Sequence, residues 1–230
     1  ATRAVMVGIS NYQDNGIPDL KYAHRDAEVF ADWLRSPAGG NLSDRNVTLL
    51  INEKATSAQF AKALDGLIEN AREGDLVIIY FSGHGDVETR TKRQSGFLLC
   101  YDAPASTYTA GGAYALYFLQ SVIETLSQEN KAKVLVITDA CRAGKLAGSN
   151  INGAQLTSAN LALQFANETK ILSCEPNEYS LEGEQWGGGR GLFSYHLVDG
   201  LTGLADANRD GWVNVREIQR YLQDRVPAEA

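Results

Sequence analysis

Three runs constrain this chain more than any other feature: RAVMVGI (3–9), DLVIIYFS (75–82) and KVLVITD (133–139). Each is apolar at nearly every position rather than at every second one. A strand with one wet face alternates apolar and polar residues, whereas a continuous apolar run reads as a strand covered on both faces. Segments with helical spacing lie between these runs. Ala23, Ala27, Phe30, Ala31 and Leu34 share one helical face. TSAQ (56–59) has the form of a capping box and opens a helix to about Ala71. Residues 114–127, 192–202 and 215–225 read as further helices, and NVTLLI (46–51), GFLLCY (96–101) and KILSC (170–174) as further strands. This alternation predicts an α/β domain with a mainly parallel sheet covered by helices.

The chain has 230 residues, 44% of them apolar, which is enough for one large core or two small ones. There are no internal repeats. The polar stretch 142–160 reads as a loop rather than a boundary, so a single domain over 1–230 is expected. No apolar run approaches the ~18 residues that crossing a membrane requires, so no membrane partner is expected. The net charge is −7 and there is no basic stripe with interleaved aromatics, which argues against nucleic acid as a partner. Three cysteines at wide spacings (Cys100, Cys141, Cys174) argue against a disulfide framework and a Cys-rich zinc site. They suit a reducing compartment such as the cytoplasm. No signal peptide is recognisable, but residue 1 is Ala rather than Met, which leaves upstream targeting open.

In parallel sheets, ligands bind beyond the carboxyl ends of the strands. Two chemically capable side chains stand there. His84 sits between Gly83 and Gly85 after one buried run, and Cys141 follows another in VITDACRAG. The flanking small residues let a substrate backbone come close. A free thiol has a pKa near ~8.5 and is mostly protonated at neutral pH. A neighbouring imidazole takes its proton, makes the nucleophile, and later protonates a leaving amine. The backbone N–H groups of Gly85 and Cys141 are the expected donors to an oxyanion. Cys100 and Cys174 lack such flanks and read as small buried hydrophobes, and His24 and His196 as ordinary helix residues.

YFSGHGD followed by ITDACRAG resembles the caspase-like cysteine peptidases, and metacaspases and their bacterial relatives more than animal caspases. AVMVGISNY, LKYAHRDAEVFADWL, GFLLCYDA and the segment beginning GLFSYHLVDGL extend the resemblance over nearly the whole chain. It implies the caspase–haemoglobinase fold, a three-layer sandwich with a mostly parallel six-stranded sheet flanked by helices. Residues 1–145 then look like the large-subunit segment, 146–168 like the linker, and 169–230 like the small-subunit segment. His84 is the implied general acid–base and Cys141 the implied nucleophile of an endopeptidase. Residue by residue, Asp26 in HRDA matches an acidic position of the metacaspase pocket for the substrate residue before the cleaved bond (P1), and Ser82 matches the serine before the histidine turn. Asp139, two residues before Cys141, would attract a cationic side chain and repel an anionic one. Cleavage after Arg or Lys is therefore expected, in peptide or protein substrates. Arg25 replaces the usual asparagine beside Asp26, and is expected to face away from it. The competing readings are an Asp-specific caspase and a non-catalytic interaction module of the same shape. A monomer is favoured.

From Leu146 to Thr169 there is no Lys or Arg, so self-cleavage of the linker after a basic residue is restricted to Arg142 or Lys145. TRTKRQ (89–94) offers Arg90, Lys92 and Arg93 as an alternative, though it reads first as a solvated charged turn. DANRDGWVNVRE (206–217) matches the EF-hand loop at its fixed positions. Asp206, Asn208, Asp210, the Trp212 carbonyl, Asn214 and Glu217 are the expected Ca²⁺ ligands, with Gly211 at the sharp turn.

Overall fold

The computed structural model describes residues 1–88, 90, 92, 95–140, 169–172 and 181–230, with backbone alone at 170 and 172. The three long apolar runs form the centre of one sheet. Strands β1 (Thr2–Gly8), β2 (Val47–Ile51), β3 (Leu76–Ser82), β7 (Lys133–Asp139) and β8 (Thr169–Leu172) lie in the order β2-β1-β3-β7-β8, every pairing parallel.

The period of two along these strands explains why the runs are continuously apolar. Val5, Val7, Val77, Ile79 and Val136 face one core, with α2 (Ser57–Asn70) and α3 (Leu116–Glu124) packed on it. Ala4, Met6, Ile78, Tyr80 and Ile137 face the other, against α1 (Ala23–Arg35), α4 (Leu192–Asp199) and α5 (Val215–Glu229). Each fully buried large apolar side chain contributes about 1.5–3 kcal/mol. The expected helical face of α1 is the buried one: Ala23, Ala27, Phe30, Ala31 and Leu34 all lie in the interior. Thr56 caps α2 as its position predicts, Oγ1 accepting the Gln59 N–H at 3.2 Å.

One strand lies in a different sheet from the one its apolarity implied. The run at 96–101 gives β5 (Gly96–Leu99), which pairs antiparallel with β4 (Gly85–Val87) and β6 (Ala113–Ala115) in a separate small sheet. The central sheet thus has five strands among the described residues rather than the expected six. Phe97, Leu98 and Leu99 are buried against the α2/α3 core, so the apolar signal reported burial correctly but not the pairing partner. The helix expected from 114 begins two residues later, after β6, and widens into a π-turn over Thr125–Glu129. The final short strands are β9 (Glu182–Gly183) and β10 (Arg190–Gly191), an antiparallel pair leading into α4.

Candidate active site

β3 and β7 run in register, so Ser82 and Asp139 end their strands side by side. The turn after Ser82 is fastened to the end of β7. Gly83 N–H donates to the Asp139 carbonyl at 3.2 Å, and Gly85 N–H to the Ala140 carbonyl at 3.0 Å. Gly83 fits because of a close approach: a Cβ there would lie 3.0 Å from Tyr12 Oη and from the Phe81 ring.

His84 is 2% exposed and held from several directions. Its N–H donates to Tyr12 Oη at 2.8 Å, and its carbonyl accepts the Leu99 N–H at 2.9 Å. The Tyr12 ring lies 5.2 Å from the imidazole, centroid to centroid. Nε2 is 2.7 Å from the Pro18 carbonyl oxygen. A carbonyl oxygen has no proton to give, so Nε2 carries the hydrogen and Nδ1 is the basic nitrogen of the neutral ring. Tyr12 and Pro18 escaped the sequence reading. Both lie in the irregular segment after β1, where no periodicity marks a contact with a residue so distant in the chain.

Cys141 lies outside the described residues, as do Arg142, Lys145, Cys174 and the whole expected linker. Ala140, bonded directly to Cys141, is the residue that receives the Gly85 N–H. Cys100 is fully buried, and burial pushes its thiol pKa well up, which agrees with a structural role. Arg90 and Lys92 are exposed, as expected of a charged turn.

The expected pocket residues share the face of the sheet beneath α1 and α4. Asp139 and Asp26 are both fully buried. Ser194 Oγ donates to Asp139 Oδ2 at 3.1 Å, and Tyr80 Oη is 2.6 Å from the same Ser194 oxygen. Ser194 has one hydroxyl proton, given to the carboxylate, so Tyr80 must donate to Ser194. The result is a directed chain from Tyr80 through Ser194 to Asp139. Burial raises the Tyr80 phenol pKa strongly, with Asp26 and Asp139 adding to the effect, so it remains a donor. Ser82 Oγ is buried without a hydrogen-bond partner among the described residues.

Asp26 stands in an ion pair that the sequence reading did not foresee. Arg190 Nε donates to its Oδ1 at 2.7 Å, and Gly191 N–H reaches the same oxygen at 3.0 Å. Arg25 turns the other way, as expected, and donates to the Gly187 and Gly188 carbonyls. The cation beside Asp26 therefore comes from the far end of the chain, from GGGRG, whose glycines carry no periodic signal.

Residues 1–229 match the caspase domain of a peptidase family. The chain belongs to the caspase-domain family. A probable protease from a Desulfuromonadales bacterium is 24% identical to this caspase domain over 247 residues, which cover 97% of the chain and 29% of that protein. The chain thus spans less than a third of that relative's length. A crystal structure of a Geobacter sulfurreducens protein aligns with a TM-score of 0.65 at 17% identity, covering 97% of this chain and 88% of that one. At that identity the likeness concerns the fold.

In the caspase domain's loop at 206–217, the expected calcium ligands act as turn and cap. Asp206 Oδ2 accepts the Gly211 N–H at 2.9 Å, Asn208 Oδ1 the Asp210 N–H at 2.8 Å, and Asp210 Oδ1 the Trp212 N–H at 2.9 Å. Asn214 and Glu217 form a reciprocal capping box at the start of α5. The residue types fit a hard cation, and the loop is exposed. Among the described residues, however, no three His, Cys, Asp or Glu side chains converge as a metal-holding group. Several of the same oxygens accept N–H groups of the loop itself. EF-hand spacing satisfies both arrangements, because Asp and Asn also build tight turns.

Proposed function

We propose that this caspase domain is a cysteine endopeptidase that cleaves after Arg or Lys. The observation that carries this reading is the fastening of the His84 turn to Asp139 and Ala140, the two residues immediately before Cys141.

In the proposed reaction, His84 Nδ1 takes the proton from Cys141 Sγ, and the thiolate attacks the scissile carbonyl carbon. The imidazolium keeps its Nε2–H on the Pro18 carbonyl, which supports the positive charge. The Cys141 and Gly85 N–H groups receive the oxyanion. Gly85 must release the Ala140 carbonyl to do so. Collapse of the tetrahedral intermediate breaks the C–N bond, and His84 Nδ1–H protonates the departing amine. Water, deprotonated by the neutral ring, then hydrolyses the thioester and restores the thiol.

In this reading Asp139 supplies the charge for a cationic P1 side chain, with Ser82 beside it. Asp26 belongs to the same wall, but Arg190 balances its charge, so it contributes shape more than attraction. An aspartyl P1 side chain would meet the Asp139 carboxylate and be repelled.

The test is hydrolysis of arginyl, lysyl and aspartyl coumarin peptides, with mass spectrometry of the chain after treatment with an arginyl chloromethyl ketone. Arginyl and lysyl peptides are expected to be cleaved, with the label on Cys141 and no turnover in Cys141→Ala or His84→Ala. Absence of label on Cys141, or preferential cleavage of the aspartyl peptide, defeats the reading.

A further inference from the structure

A second concave site lies along the edge of the sheet. It is a cavity of about 560 Å³ between the edge strand β2, the start of β1, and helix α2. Small-molecule pockets span roughly 300–1,000 Å³. His84 follows the carboxyl end of β3, whereas Arg3 marks the amino end of its neighbour β1. The lining reaches Leu50, level with Val7 and Phe81, so what separates the two sites is the step across the sheet from β3 to β2, two strand spacings or roughly 10 Å.

Three cations from three separate elements line this cavity: Arg3 from β1, Arg45 from the turn before β2, and Lys62 from α2. Among the described residues no carboxylate lines it, although the chain as a whole carries a net charge of −7. Arg3 is positioned by Asn46, whose Oδ1 accepts from Nη1 at 3.3 Å, and by Asp75, with Oδ2 3.5 Å from Nε. Arg45 and Lys62 make no ion pair or hydrogen bond among the described residues. Asp75 balances Arg3, so the positive charge left at the cavity for an anion to meet is that of Arg45 and Lys62, both exposed. The side chains of Leu50 and Leu67 add an apolar wall for the organic part of a ligand.

Gly66 supplies an independent observation. It lies inside α2, where glycine costs about 1 kcal/mol relative to alanine. A Cβ added there would meet nothing within 4 Å, so the packing of the protein does not call for glycine. Gly66 lines the cavity, and its missing side chain keeps that wall open.

We propose that this cavity binds a small phosphate-bearing anion. Arginine and lysine donors set around a nucleotide-sized space match phosphate oxygens in charge and geometry.

Isothermal titration of the 230-residue chain with inorganic pyrophosphate and with adenosine monophosphate tests this, and the two probes separate a bare phosphate from a nucleotide. Saturable binding of at least one probe is expected. Arg45→Gln combined with Lys62→Gln should weaken it by about tenfold or more, the scale of lost charge-assisted contacts. Gly66→Leu fills the cavity and should abolish binding while leaving the melting temperature equal or higher. The proposal is overturned if neither probe binds saturably, if both variants bind as the parent does, or if a hexaglutamate peptide binds more tightly than either probe.

Discussion

Arg190 Nε and Asp26 Oδ1 meet at 2.7 Å across 164 residues of chain, with side chains 6% and 0% exposed. The contact ties α1 to the start of α4, because Gly191 N–H shares the Asp26 carboxylate and Arg190 Nη2 donates to the Ser194 carbonyl at 3.1 Å. Removing one partner of a buried pair leaves an uncompensated charge, which costs about 3–5 kcal/mol. Arg190→Met should therefore lower the unfolding free energy by about that amount in urea titrations. Asp26→Asn with Arg190→Met should recover a large part of it, because no bare charge then remains. A double variant as unstable as the single one would show that shape, not charge balance, holds this junction.

The chain from Tyr80 through Ser194 to Asp139 orients the carboxylate proposed to receive a basic P1 side chain. Ser194→Ala removes one hydrogen bond to a charged group, a loss of about 1.5–3 kcal/mol where the geometry is tight. For an arginyl peptide, kcat/KM should fall by about tenfold or more, mainly through a higher KM. Tyr80→Phe acts one bond further away and should have a smaller effect in the same direction. A fall confined to kcat would place Ser194 in the chemistry rather than in positioning Asp139.

Asp86, two residues beyond His84, is buried and accepts hydrogen bonds from Tyr108 Oη and from its neighbour Val87 N–H. Burial raises its carboxyl pKa above the ordinary value, and the two hydrogen bonds only partly offset this. Between the unfolded pKa, about 3.9, and the higher folded one, the folded chain binds more protons than the unfolded chain. Stability contributed by this group therefore falls as the pH rises through that interval. Asp86→Asn has no proton to lose and keeps an acceptor for Tyr108. Its stability relative to the parent should increase as the pH is raised from about 4 toward neutrality. A difference that stays flat or moves the other way refutes the assignment.

The parts of this fold legible in the sequence are those set by short-range pattern. Val5 and Met6 fill opposite cores, so their strand is apolar at every step, and the run alone identifies a covered strand. Arg25 and Asp26 point apart because adjacent helix residues are about 100° apart. The position of Asp139 at the strand end that leads to Cys141 was legible from short-range pattern as well. What escaped depends on long-range closure. Nothing local links Pro18 to His84 or Arg190 to Asp26, and the apolar character of Phe97 signals burial without naming the strand that β5 pairs with. Glu217 shows a different limit, since one spacing satisfies both a capping box and a calcium ligand.

That ambiguity at the start of α5 can be resolved by experiment. Asn214 Oδ1 accepts the Arg216 and Glu217 N–H groups at 3.0 and 3.2 Å, and Glu217 Oε2 accepts the Asn214 N–H at 3.0 Å. Loss of such a cap costs about 1 kcal/mol, so Asn214→Ala should lower stability by that amount even with a chelator present. Bidentate calcium chelation would require Glu217 to leave the cap, while Asp206 and Asp210 turn from the loop N–H groups toward the ion. We propose that calcium drives this exchange. Titration of the parent with Ca²⁺ should then give a saturable rise in melting temperature that Asp206→Ala abolishes. No rise in the parent, or the same rise in Asp206→Ala, would leave residues 206–217 as a turn and a helix cap.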